Sequence, residues 1–191
     1  MLYKGKIFAV EELKGRDFSN DIFESCRFTG ITLKFTNFSK CDFRSCDFSE
    51  SFLDLVGFSD CKFPGSKLSN LDFSNSSLTG CDFGESLAEN CIFQKLKGAS
   101  KSDLKKFDLK TSKFAGANLA GSIFIFCNLE KVSFEGSDLT GAIFERCNLS
   151  QTNFVGAKIE GAGFKDSKIS KTILDLKGFV SFGNTQGFTI E

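Results

Sequence analysis

Large apolar residues recur in this chain at every fifth position. Leu13, Phe18, Phe23, Phe28, Leu33 and Phe38 open a series that holds its phase to Phe93, with one small member, Ala88. A second series, one residue out of phase, runs from Leu104 and Leu109 through Phe114 and Phe124 to Ile169 and Leu174, so that 32 pentads fill most of the chain. A step of five matches neither the 3.6 of a helix nor the 2 of a flat strand. The backbone must therefore turn within every unit to return its large side chains to one interior, which describes a solenoid. Two positions before each centre the residue is small, as at Cys26, Cys41, Ser66, Ala117 and Ala162, and all eight cysteines fall there. Two positions after the centre stand ten of the 18 glycines, among them Gly30, Gly80 and Gly121, which marks a recurring turn.

These units resemble those of the pentapeptide-repeat family, whose motif A(D/N)LXX is matched by Ala117-Asn118-Leu119, Cys147-Asn148-Leu149, Cys41-Asp42-Phe43 and Ser137-Asp138-Leu139. The resemblance covers about residues 11 to 176 and implies an all-β fold: a right-handed quadrilateral β-helix with four pentads to a coil. Residues 20 apart should then stack, and Phe23, Phe43, Phe63 and Phe83 do form one column of like residues, as do Leu109, Leu129, Leu149 and Ile169. At four pentads per coil there are about eight coils, and a spacing of about 4.8 Å makes a single-domain rod of about 38 Å. The final segment, LDLKGFVSFGNTQGFTIE, leaves the period and is expected to form a short C-terminal cap over residues 177–191.

Composition removes several kinds of chemistry. With no histidine anywhere, the commonest general base and metal ligand is missing. The cysteine column Cys41, Cys61 and Cys81 is explained by small buried side chains, because the same position accepts Ser and Ala. No phosphate-binding glycine motif and no carboxylate pair in a cleft is evident. We expect no enzyme, no cofactor and no metal. No apolar run reaches membrane-spanning length and the start MLYKGKIFAVEELKGRD is too charged for a signal peptide, so a cytoplasmic protein without membrane attachment is expected.

The 24 basic and 24 acidic residues cancel, yet they are not evenly spread. Residues 1–96 carry a net −3 and residues 97–191 a net +3. Between Phe93 and Leu104 the step is 11 instead of 10, so one extra residue, as a bulge or small loop, is expected at 94–103. The surrounding segment 95–113 holds seven lysines against Asp103 and Asp108. Off-pattern apolar residues stand at predicted outward positions: Phe35 and Leu55, which are 20 apart, and Phe126 beside Ile125.

A rod whose large side chains fill its interior must act through its outside. The family resemblance implies a protein partner, specifically DNA gyrase or topoisomerase IV bound by imitation of duplex DNA, as in quinolone-resistance members. The alternative is a general interaction scaffold or adaptor with no topoisomerase role. Candidate carboxylates for mimicry are Asp17, Asp42, Asp47, Asp72 and Asp82, and Lys97, Lys101, Lys105 and Lys106 form a candidate second contact. Phe179, Val180, Phe182, Phe188 and Ile190 are the candidate interface of a homodimer. Direct nucleic-acid binding is disfavoured, since the positive charge is local and the aromatics are committed to the core.

Overall fold

A computed structural model describes residues 1–95 and 106–189. The chain winds as a right-handed, four-sided β-solenoid closed by a C-terminal helix. Short strands, mostly three residues long, lie parallel to those one coil away. On the first face Leu2 pairs with Ile22 and Ile22 with Asp42. The second face links Ile7, Arg27, Asp47 and Lys67 through parallel bridges. The third joins Thr32–Lys34 to Phe52–Asp54 and, further along, Ile92–Phe93 to Ile123–Ile125 and Ile143–Glu145. The fourth carries Asp17–Ser19, Asn37–Ser39, Gly57–Ser59 and Ser77–Thr79 in one sheet.

Each corner is a tight turn whose geometry follows from the pentad. At many corners the amide two residues before the next centre donates to the carbonyl of the preceding one, as from Ser51 to Phe48 (3.1 Å) and from Ser112 to Leu109 (2.8 Å). With or without that bond, most corners take a positive φ at their third residue. Gly80 (φ 64°) and Gly121 (φ 67°) meet that need without strain, and Asn20, Asn70 and Asn90 adopt the same conformation. The small residue beyond the corner points inward and ties one coil to the previous one. Thr152 Oγ1 donates to the Leu129 carbonyl at 2.9 Å, Cys61 Sγ to that of Phe38 at 3.3 Å and Cys127 Sγ to that of Phe93 at 3.0 Å. Cys, Ser and Thr thus share a position because each is small and each can donate.

Inside, like stacks on like. Phe28 lies 4.5 Å from Phe48, Phe23 4.7 Å from Phe43 and Phe134 5.3 Å from Phe154, in near-parallel pairs, while rings on adjacent faces meet edge-on. Each buried ring or leucine contributes about 1.5–3 kcal/mol relative to exposure, and offset stacking adds to it.

Two boundaries differ from the sequence expectation. The solenoid begins before residue 11: Tyr3 stacks on Phe23 (5.0 Å) and Phe8 on Phe28 (4.9 Å), so both continue the five-residue step back from Leu13. The phase slip is also larger than one residue. Phe83 stacks on Phe114 (5.0 Å) and Phe93 on Phe124 (4.7 Å), and the bonds that tie coil to coil there span 31 residues where other coils span 20. The third face therefore hands over to the fourth through eleven additional residues, and Leu109 holds the next interior position. Leu104 and most of the expected 94–103 slip lie outside the described residues.

The two ends close differently. At the N-terminal end Lys6 Nζ stands 4.8 Å over the Phe8 ring and 5.7 Å from that of Tyr3, held by Glu12 at 2.7 Å. That places a cation over the end of the aromatic column, beside the single helical turn Val10–Leu13 (α1). At the other end a helix from Leu176 to Thr185 (α2) folds over the last coil, and Phe182 meets Phe164 edge-on at 5.5 Å. Asp175 fastens it, with one carboxylate oxygen accepting from the Gly178 amide and the other from the Gly156 amide, both at 2.7 Å.

Candidate interaction surface

The five candidate aspartates all occupy the position just before a centre, and the twenty-residue coil distributes them over all four faces. Asp42 and Asp82 share the first face, Asp47 lies on the second, Asp72 on the third and Asp17 on the fourth. Along the first face acids alternate with bases: Asp42 neighbours Lys62, Lys62 neighbours Asp82, and Asp82 neighbours Lys113. Several are engaged locally. Asp42 binds Arg44 at 2.5 Å, Asp17 accepts from Asn37 at 2.8 Å, and Asp72 and Asp82 accept from the Ser74 and Gly84 amides at 2.8 and 3.0 Å. Partial burial works against ionisation of Asp47, but hydrogen bonds from Ser49 and the Lys67 ammonium at 3.7 Å hold its carboxyl below the usual range. Asp47, Asp72 and Asp82 are thus acceptors within their own turns, while Asp17 and Asp42 are engaged by the side chains of Asn37 and Arg44.

Of the lysines, Lys106 is described and stands 5.6 Å over the Phe126 ring. Lys97, Lys101 and Lys105 fall outside the described residues. Phe35 and Leu55 do project outward, about half exposed, at the corner between the third and fourth faces. Both, like Phe126 at the same corner, are held at positive φ (53°, 55° and 53°), where a bulky side chain is strained. Sequence spacing exposed their outward direction, and their place two residues after a centre, where glycine recurs in other pentads, was the signal of that backbone state.

The C-terminal candidates divide. Phe182 turns in against the core, and with Leu149, Phe164, Leu174 and Phe179 it lines a cavity of about 260 Å³ between helix and coil. Phe179 and Phe188 are 64% and 72% exposed, and with Val180 they border a second apolar hollow of about 300 Å³. Exposed Leu176, Ile169 and Ile173 enlarge the same apolar end. Ile190 lies outside the described residues.

The cysteines are free and buried. Burial pushes the thiols of Cys46, Cys81 and Cys91 up to about 12, and that of Cys127 upward as well, which suppresses the thiolate needed for nucleophilic or metal chemistry. Among the described residues no group of three His, Cys, Asp or Glu side chains converges on a metal position, and no helix is long and apolar enough to cross a membrane.

Comparison with known proteins agrees with this architecture. The description of pentapeptide repeats matches in eight copies over residues 22–55, 58–94 and 127–166, more than half of the chain. A comparison with curated protein sequences finds no match. Among solved structures, the fold is similar to that of trypsin-treated QnrB1, a plasmid-mediated fluoroquinolone resistance protein, at 17% identity and a TM-score of 0.65, covering 100% of this chain and 99% of that one. HetL, a pentapeptide repeat protein involved in heterocyst differentiation regulation in the cyanobacterium Nostoc, aligns at 18% identity and a TM-score of 0.41, over 88% of this chain and 84% of its own.

Proposed function

Because the chain belongs to the pentapeptide-repeat family, we propose that it works without catalysis, as a stiff rod that binds a protein partner on its outside. We further assign that partner as a type II topoisomerase, DNA gyrase or topoisomerase IV, which the rod protects from quinolones in the cytoplasm. The observation that carries the binding role is the commitment of the interior. From Phe8 to Ile159 the centres of the described pentads are buried, which leaves the outward positions of these coils for binding. The topoisomerase assignment draws on the resistance role described for QnrB1 and on the match of rod to rod over nearly their full lengths.

Dimerisation belongs to the same reading. The N-terminal end finishes in a cation paired with Glu12, whereas the C-terminal end finishes in exposed Phe179 and Phe188. The second gives an aromatic apolar surface that a second copy would cover.

One observation favours the scaffold reading over DNA mimicry. A mimic presents carboxylates at the spacing of phosphates, and here the first face alternates Asp42, Lys62, Asp82 and Lys113. Titration of immobilised, purified gyrase with this protein separates the two. Saturable binding at micromolar concentration or below, weakened by salt, supports the topoisomerase reading. Absence of binding leaves the scaffold reading.

A further inference from the structure

The four faces are not chemically equivalent. On the first, second and fourth faces most outward positions before the centre carry polar or charged groups or glycine, for example Asp47, Lys67, Asn118 and Asp138 on the second. On the third face the same position reads Thr32, Phe52, Asp72, Ile92, Ile123 and Ile143. Phe52 is 70% exposed and Ile143 41%, and Ile92, Ile123 and Ile143 form one uninterrupted ladder. Asp72, which breaks the band once, turns its carboxylate to the amide of Ser74.

A second observation coincides with the first. Phe35, Leu55 and Phe126 edge this same face, and each keeps a bulky apolar side chain at positive φ, where the other corners carry glycine or a polar residue such as Asn20, Ser45 or Lys131. A left-handed conformation costs a residue with a side chain about 1–2 kcal/mol. Backbone strain of this kind clusters at functional positions. Beside Leu55 an open cavity of about 300 Å³, reaching Lys95, gives a seat for one large side chain.

We propose that the third face is a docking site for an acidic amphipathic helix of a protein partner, laid along the axis of the rod. This rests on the reading of the chain as a protein-binding rod, and not on which protein it binds. Three features select that occupant. The band runs over five coil steps, about 24 Å, the length of a helix of about 16 residues. The helical pitch of about 5.4 Å lies close to the coil spacing of about 4.8 Å, so side chains one turn apart meet successive rungs. Charge then fixes the sign: along the flank of the apolar band Lys34 and Arg146 are paired with Asp54 (2.7 Å) and Glu145 (3.7 Å), while Lys95 and Lys106 add two further cations, a net positive flank that favours carboxylates along one side of the helix.

The probe is a fluorescein-labelled 16-residue peptide with leucines at helical spacing and glutamates along one flank, read by anisotropy. Two controls accompany it: a scrambled peptide, and one with lysine in place of glutamate. Protein variants are the double substitution Phe52→Ser with Ile143→Ser, both at exposed positions, and Leu87→Ser on the second face. We expect micromolar binding to the native protein and no change with L87S. The double variant should weaken binding by about tenfold or more, and both control peptides should bind more weakly than the probe.

Equal binding of the scrambled peptide, loss of binding with L87S, or absence of saturable probe binding overturns the proposal. The same variants are titrated against gyrase. If gyrase binds all of them equally and the probe does not bind, the helix site is wrong and the topoisomerase reading stands. If the probe binds the third face and gyrase does not bind, the opposite holds.

Discussion

Phe83 and Phe114 lie 31 residues apart in sequence and 5.0 Å apart between ring centres, so a double-mutant cycle on this pair tests how the two halves of the rod are joined. Both side chains are fully buried. Phe114 also stacks on Phe134 at 5.1 Å and meets Phe93 and Phe124 edge-on at 5.6 and 5.9 Å. Leucine occupies equivalent centres at Leu68 and Leu78, so Phe83→Leu and Phe114→Leu should both fold. Each single change is expected to cost about 1–3 kcal/mol in urea unfolding. A stacked aromatic pair contributes about 0.5–1.5 kcal/mol beyond burial, and the cycle should return a coupling of that size. A one-residue slip would instead set Leu104 against Phe83. Coupling indistinguishable from zero for Phe83 with Phe114, together with measurable coupling of Phe83 to Leu104, would refute the eleven-residue insertion.

Three further outcomes follow from the same geometry. Deletion of residues 95–105 restores a five-residue step from Phe93 to Leu109, and the shortened protein should unfold within about 1 kcal/mol of the native one by urea titration, because loop length weighs only logarithmically; failure to fold would contradict the register. The cysteines should resist a thiol reagent at pH 8 in the native state and all react once unfolded. Because the folded pKa values of Cys46, Cys81 and Cys91 are raised, the contribution of these three to stability is complete below the unfolded value near 8.5 and is lost as pH rises toward about 12, so melting temperature should fall across that alkaline window. The Gly178 and Gly156 amides hold the Asp175 carboxyl below its usual range, so the C-terminal latch persists above about pH 4 and opens as pH falls through the lowered value; Asp175→Ala should open it at neutral pH, raising binding of a hydrophobic dye.

The interior was legible because a five-residue step leaves little choice: Phe23 must stack on Phe43, and Leu129 on Leu149. The A(D/N)LXX units carried the family resemblance, which implied the four-sided coil that the columns 20 apart then supported, and the loss of the period after Leu174 marked the cap. The first coil was equally present in the sequence, since Tyr3 and Phe8 continue the step back from Leu13, but Lys6 and α1 interrupt the pentad composition there. The length of the insertion was hidden for an arithmetic reason. Eleven equals two pentads plus one, so counting by fives shows a slip of one, and Leu104 sits by chance five residues before Leu109. Continuity of aromatic columns carried the missing information, because Phe93 finds a ring at Phe124. The outside was far less legible, since outward positions are free of packing constraints. What set the third face apart emerged only when Ile92, Ile123 and Ile143 came into one ladder across the insertion.

The central claim, a rod that binds and protects a type II topoisomerase, is tested most directly by a supercoiling assay. Purified gyrase is incubated with relaxed plasmid and a fluoroquinolone across a concentration series of this protein, with a parallel series lacking the drug. Restored supercoiling in the presence of drug, or inhibition in its absence, at micromolar protein or below is the predicted result. Unchanged activity in both series, with the protein shown to be folded, would contradict it.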